Sequence, residues 1–460
     1  MEKIFKAKKS LFVRLLCVAF SIVLCLTAAG CGGDGKKESG TDSKKPLGVQ
    51  VDSVEQDVLA NSKVANKKYE GKTFTYVFPY TPGEVTERRV AAFNKEHDAN
   101  IQIVVKTGAS LYQTLATAIA GGTPYDMVSV YSHFFPNLAV QDLVTPLESY
   151  YDDIDLYNSA KPENGGLNKE FNDFYTFGGH NYVVGSAKSV YHLMYIYNKK
   201  LYNDNGLEDP WALYKKGEWT WTKFLEMGTQ VTDVANGIGF TEFGDVFQWL
   251  NLNCVNIIDR QADDTYRSCA TDDKMIYSLQ GYQQLYLGKE PICVQEADFT
   301  KGTTFGMFVA SNAYSTYAEQ AKNSTAFDRK ATNLGAAPVP ISNLNTDGKY
   351  PLHASVGYAV SKGASDPSIA VCYALYESRV TDTDTGDELQ LDPEIFAEII
   401  KRYSEKPFLT YTGFADSNGV SVAEFYRDDI GKTLLKGADV TQTIESNKGI
   451  IQKMIEDTVK

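Results

Sequence analysis

The side chains able to do chemistry in this chain are plentiful, but they do not fall into a familiar catalytic string. A glycosidase needs two carboxylates facing one another across a cleft, and with 58 Asp and Glu residues the acids single out no pair. No HExxH, GxSxG or GxxxxGK[ST] string occurs, which removes the common zinc-protease, serine-hydrolase and P-loop signatures. Asp382, Asp384 and Asp387 surround Gly386, yet that glycine falls one place early for an EF-hand calcium loop, so a solvated loop is expected. Of seven cysteines, Cys254, Cys269, Cys293 and Cys372 lie in the body of the chain, where they admit three pairings. Oxidised pairs and buried free thiols both remain open for them. No two cysteines have CxxC spacing and the five histidines are scattered, so neither a metal nor a cofactor is expected.

Cys31 stands apart. It follows a basic start (Lys3, Lys6, Lys8, Lys9, Arg14), an apolar run from Leu15 to Leu26 and the small residues Ala28, Ala29 and Gly30. This is the layout of a secretory signal, too short in its apolar part for an ordinary spanning helix. The pattern resembles a bacterial lipobox. That resemblance implies that residues 1–30 are removed and that the Cys31 thiol is lipidated, with at least two acyl chains, enough for stable anchoring. Gly32 to Pro46 has four Gly, four Lys and no large apolar residue, so 31–70 is expected to be the lipidated Cys and a flexible tether. Without residues 1–30, which hold five Lys or Arg and one Glu, the formal charge moves from −13 to −17. Such a surface disfavours nucleic acid.

The elements that must position a site come next. From residue 73 the signals alternate: strand Thr73 to Phe78, helix from about Pro82 to Glu96, strand Ile101 to Val105, helix from about Leu111 to Ala120, strand Met127 to Tyr131. This βαβαβ order predicts a parallel sheet. Thr81 with Pro82 and Glu84, and Ser110 with Gln113, read as helix caps, and Gly121 and Gly122 as a helix stop. Both helices start at the carboxyl edge of the sheet, where open α/β sheets bind ligands, which singles out Tyr80 and Tyr112. Tyr182 to Tyr197 reads as strand leaving one domain for another. A second α/β region has helices at Thr220 to Thr229, around Trp249, from Met275 to Leu287 and after Phe299. Strands follow at Asn333 to Val339 and Val356 to Val360, then a helix from about Pro367 to Arg379 and a mainly helical C-terminal stretch.

Several strings in this order resemble family 1 extracellular solute-binding proteins, the group that includes maltose-binding protein, over roughly residues 73 to 455. They are Ser110-Leu111-Tyr112, Gly122-Thr123-Pro124-Tyr125-Asp126-Met127-Val128, Leu143-Val144-Thr145-Pro146-Leu147, Ile196-Tyr197-Asn198-Lys199, Asn205-Gly206-Leu207, Gly217-Glu218-Trp219-Thr220-Trp221 and Gly357-Tyr358-Ala359-Val360-Ser361-Lys362-Gly363. The chain departs from the family at Thr222, where an acidic residue is common, and at Phe305-Gly306-Met307.

The resemblance implies an α/β fold of the two-lobed periplasmic-binding-protein-like type II class, closing by an interlobe hinge on a solute. Lobe I would hold residues 71–187 plus about 333–382, and lobe II about 188–332 plus 383–460. Tyr131, Ser132 and His133 would sit at the cleft edge of lobe I, and Ser186, Lys188, Tyr191 and His192 at the first crossover. Trp249 and Tyr314 are the aromatic candidates from lobe II. A sugar ring has an apolar face and a rim of hydroxyls, so aromatic planes with a few fixed polar groups suit it. The implied role is an extracytoplasmic, membrane-anchored monomer that takes a carbohydrate and serves the permease subunits of an ABC importer, without enzymatic activity. A surface glycan-active enzyme and a two-lobed sensor for a membrane receptor are the alternative classes.

Overall fold

Apolar side chains fill one face of Lys72–Phe78 (β1) and spread to both faces at its end, where Tyr76, Val77 and Phe78 are all buried. The helix Glu84–His97 (α1) returns the chain to Ala99–Val105 (β2), which runs parallel to β1 from Lys72 opposite Ala99 to Phe78 opposite Val105. Leu111–Ala120 (α2) buries Leu111 and Leu115 and stops at Gly122, whose φ of +71° is the left-handed conformation a helix end uses. Met127–Tyr131 (β3) then joins β1 in parallel, completing βαβαβ. The computed structural model describes residues 49–51, 58–106, 111–150, 167, 169–186, 189–263, 265–382, 390–415 and 420–459. Cys31, the expected tether as far as residue 48, Ser110, Lys188, Asp384 and Asp387 lie outside the described residues; the end of the expected tether, residues 58–70, is packed, with Leu59, Val64, Ala65 and Tyr69 buried.

The second half uses Val190–Asn198 (β4), Gly239–Glu242 (β5), Thr304–Ala310 (β6), Leu334–Pro338 (β7), Tyr350–Ala359 (β8) and Pro407–Phe408 (β9). One mixed sheet runs β2-β1-β3-β8-β4-β6-β5, with β7 also on β4 and β9 also on β8. Its two halves meet through β8 and β4. The far end of β8 pairs with β3 (Val356 opposite Tyr131), while nearer its start Leu352 lies opposite His192 and Ser355 opposite Val190. The register shifts between Leu352 and Ala354, a bulge of the kind that bends a strand and raises its twist. Beyond that junction β4 is flanked by β6 on one side and β7 on the other, over nearly the same residues.

The helices that matter for the site are Trp221–Val231 (α3), capped by Thr220, Val246–Leu252 (α4), capped by Asp245, Asp273–Leu287 (α5), Ser368–Arg379 (α6), Pro393–Glu405 (α7), Val422–Phe425 (α8) and Val440–Val459 (α9). Two expectations need correcting. The first helix begins at Glu84 with Gly83 in the cap position and no side-chain cap bond, so Thr81 does not cap it. After Phe299 the chain forms β6 before the helix Tyr314–Asn323. That strand is buried on both faces and lacks the alternation that marks a strand in sequence.

Glycines in the flanking strands make room for tyrosines of β4. A Cβ on Gly306 would strike the Tyr195 hydroxyl, and one on Gly335 would strike the Tyr197 ring. A still closer approach ties the C-terminal segment to the residues just after β3. Gly413 bridges Pro136, and a Cβ built there would fall inside the backbone of Phe135. Gly413→Ala should therefore lower stability by about 3 kcal/mol, the upper range for overpacking a filled site. Urea denaturation should show this as a lower midpoint, and an unchanged midpoint would contradict the close approach.

Candidate functional site

Five residues chosen from the sequence gather at the carboxyl edge of the first half-sheet. Tyr80, in the loop after β1, is 49% exposed, and its ring stands edge-on to Tyr131 at the end of β3, 5.2 Å between centroids. The Tyr80 hydroxyl lies 3.2 Å from His133 Nε2. His133 sits in the single turn Ser132–Phe134 that follows β3, its ring tilted against Phe134 at 4.2 Å. Tyr112, in the first turn of α2, places its ring edge-on to Phe134 at 6.0 Å and donates its hydroxyl to the Phe134 carbonyl at 3.4 Å. Ser132 lines a small pocket together with residues of α4, β8, β9 and the segment after β9.

Burial controls the electrostatics. It pushes the His133 imidazole down to about 4, with the Glu424 carboxylate pulling the other way, so this histidine is neutral near pH 7. Burial also raises the Tyr80, Tyr112 and Tyr131 phenols. The site is thus a set of uncharged aromatic and hydroxyl groups that can stack and exchange hydrogen bonds.

The charges near it come from the C-terminal segment, and sequence reading missed them. Glu424 raises the Tyr80 and Tyr112 phenols and Arg427 lowers that of Tyr80. Glu424 is held by a capping box: its Oε2 accepts from the Ser421 N–H at 2.9 Å and from the Ser421 hydroxyl at 2.8 Å. Arg427 pairs with Asp428 at 2.7 Å and also feels Asp245. Asp245 caps α4 by accepting from Gln248 N–H at 2.9 Å. A signal existed, since Ser421 followed three residues later by Glu424 reads as a helix start.

The other candidates go elsewhere. Tyr191 is half-buried on β4, close enough to Glu377 and Tyr131 for their charges to raise its phenol further after burial has done so. His192 is turned to the opposite face and 4% exposed, edge-on to Tyr403 of α7 at 5.0 Å. Ser186 is fully buried, with its N–H donating to the Ser189 hydroxyl at 3.1 Å. Trp249 is 2% exposed, packed on Trp221 and Phe243, with its indole N–H donating to the Ser278 carbonyl at 2.6 Å. Tyr314 is likewise in the core, its hydroxyl donating to the Leu334 carbonyl at 3.4 Å. Trp249 and Tyr314 are core residues because their neighbours claim both their rings and their polar atoms; Ser186 and His192 are buried as well, His192 with its Nδ1 unpartnered among the described residues. The four body cysteines are free and buried.

The family model described as bacterial extracellular solute-binding protein matches residues 88–383. A sequence comparison with curated proteins finds no match. Among solved structures, an ABC substrate-binding protein of Listeria monocytogenes in complex with cycloalternan is similar, with 17% identity and a TM-score of 0.61 over 84% of this chain and 99% of that one. The galacto-N-biose/lacto-N-biose I-binding protein of Bifidobacterium longum, solved with lacto-N-biose, has 15% identity and a TM-score of 0.61 over 84% and 98%. The cyclic alpha-maltosyl-1,6-maltose binding protein of Arthrobacter globiformis has 16% identity and a TM-score of 0.57 over 85% and 100%. The fold is the mixed α/β, two-lobed fold of these binding proteins.

Acid should weaken this structure through its buried histidines. Burial pushes His192, like His133, down to about 4. The unfolded chain takes up those protons near pH 6.5. Stability therefore falls as pH drops from about 6.5 toward 4, where only the unfolded state has gained them. Glu242 acts in the opposite sense: burial, then Asp298, raises it to about 7, so its contribution is lost as pH rises through that value. Comparing His192→Gln with the unaltered protein cancels the Glu242 effect. The variant's urea stability should change less between about pH 5 and pH 7, by up to about 1.4 kcal/mol per pH unit. Parallel profiles for the two proteins would contradict a neutral, buried His192.

Proposed function

The chain belongs to the bacterial extracellular solute-binding proteins, and from that premise we propose that it captures a sugar or oligosaccharide in the cleft between its lobes and delivers it to an ABC permease. The observation that carries the reading is the cluster of Tyr80, Tyr112, Tyr131 and neutral His133 at one edge of the first half-sheet, with Glu424 and Arg427 brought near it by the C-terminal segment. Aromatic faces suit the apolar side of a sugar, and neutral His, Ser and Tyr groups suit its hydroxyls.

In this reading β4 and β8 are the hinge, since they are the strands through which the half-sheets meet. The lobe boundary then moves from the one expected in the sequence: β7 goes with lobe II, because it pairs β4 alongside β6. Ligand contacts on both sides of the hinge favour the closed form, which is the form a permease would recognise. Cys31 with two acyl chains would hold the mature protein at the outer face of the cell membrane. No helix of the described residues is long and apolar enough to cross a membrane. The solute is held and released unchanged.

A thermal-shift screen against a library of neutral sugars tests this directly, because a ligand that binds the native state raises its melting temperature. At least one sugar should raise it, and His133→Ala and Tyr80→Ala should each weaken that sugar by more than tenfold, about 1.4 kcal/mol. Shifts with peptides or polyamines and none with sugars would refute the solute class, and recovery of a cleaved sugar would refute the binding role. Cys31→Ser should release the protein from the membrane fraction into the medium.

A further inference from the structure

Resting on that reading, we propose that the small pocket beside Ser132 receives an uncharged hydroxyl or hydroxymethyl group of the solute, and so makes the protein select neutral saccharides over uronic acids and amino sugars at that end. The pocket has room for one water-sized group, too little for a ring. Its polar lining is Ser132, Asn251, Ser355, Thr410 and Thr412, and the rest is Phe and Leu, including Phe247. None of these side chains is ionisable. Nothing in the wall can neutralise a carboxylate or an ammonium group, and leaving such a charge unpaired in a desolvated pocket is strongly unfavourable. The Ser355 hydroxyl is already engaged with that of Tyr175 at 3.0 Å; a solute hydroxyl, which both donates and accepts, matches the remaining hydroxyls and one amide.

Two further observations point to a ligand. The Thr410 hydroxyl oxygen is buried and has no hydrogen-bond partner among the described residues. A buried polar group in that condition is costly until something supplies the bond. Asn251 and Thr412 are 5% and 2% exposed, yet both line the pocket. These two polar residues are thus held away from bulk water beside a space of hydroxyl size.

The pocket also draws on both halves of the sheet. Ser132 follows β3, Ser355 lies on β8 opposite Val190 of β4, and Phe247 and Asn251 come from α4. A hydroxyl seated there touches lobe I, the crossing strand and lobe II at once, and its contacts exist only when the lobes are together. The ring itself would lie outward, toward Tyr80, Tyr131 and His133.

The test is titration calorimetry on the mature protein with neutral probes (maltotetraose, cellotetraose, xylotetraose, lacto-N-biose), with tetragalacturonate and with a fully deacetylated chitosan tetramer. High salt screens the acidic surface, so that long-range repulsion or attraction does not set the order. At least one neutral probe should bind, and each charged tetramer should bind at least about a hundredfold more weakly, the discrimination expected when a buried polar site meets a group it cannot pair. Thr410→Val keeps the side-chain shape and removes the hydroxyl. It should weaken the best neutral probe about tenfold, a typical consequence of losing one ligand hydrogen bond. The unliganded melting temperature should hold or rise, since an unsatisfied buried group is gone. Asn251→Ala should weaken the same probe. Charged tetramers that bind as tightly as neutral ones, or a Thr410→Val affinity within twofold of the parent, would overturn the pocket assignment while leaving sugar binding intact. A panel in which no saccharide binds would sink both.

Discussion

The short antiparallel pairing of β4 with β8 is what the rest of the structure depends on. Val190 to His192 and Leu352 to Ser355 are the residues through which the first half-sheet is joined to the second within one hydrogen-bonded surface. The bulge between Leu352 and Ala354 falls inside this junction, where extra twist and a missing regular rung make the backbone easier to bend than a continuous ladder. Side chains alternate across it. Tyr191 is close enough to Tyr131 of β3 and Glu377 of α6 to feel their charges, whereas His192 is packed under α7. A change of angle at the junction is therefore felt by the site on one face and by a packed helix on the other.

The second governing feature is that the candidate site is electrically quiet inside and charged at its borders. Desolvation keeps His133 neutral and the tyrosines protonated. The carboxylate and guanidinium groups of Glu424 and Arg427 are each engaged by their own neighbours, Ser421 and Asp428. A solute held by these residues would owe its affinity to stacking and directional hydrogen bonds, which read shape and hydroxyl pattern. Charge would chiefly set what is refused.

Much of the first half was legible in the sequence because its information is local. β1, β2 and β3 are short stretches rich in apolar and β-branched residues, each helix has a periodic face, and Gly121 and Gly122 mark a stop, so those elements fell within a few residues of their expected places. The rule that ligands meet the carboxyl edge of an α/β sheet then led to Tyr80, Tyr112 and Tyr131 to His133. Other residues required knowledge that only pairing supplies. Which face His192 takes depends on its register with Leu352, and whether Trp249 is free depends on Ser278, Trp221 and Phe243, which converge on it in the fold. Strand β6 hid because it is buried on both faces and because Gly306 looks like a strand breaker until Tyr195 is seen to need its space. Thr410, Glu424 and Arg427 return to the site from nearly three hundred residues beyond Ser132, a distance over which no periodicity carries information.

The aromatic packing around Trp249 has an optical corollary. All four tryptophans, Trp211, Trp219, Trp221 and Trp249, occur in one span of the sequence between β4 and β6, and Trp221 and Trp249 touch. Intrinsic emission from this molecule is thus a reporter of the second half alone, while the first half, which supplies the Tyr80 and His133 edge, is dark except through its tyrosines. A single spectroscopic trace would describe the melting of one lobe, and the behaviour of its partner would have to be followed by another signal.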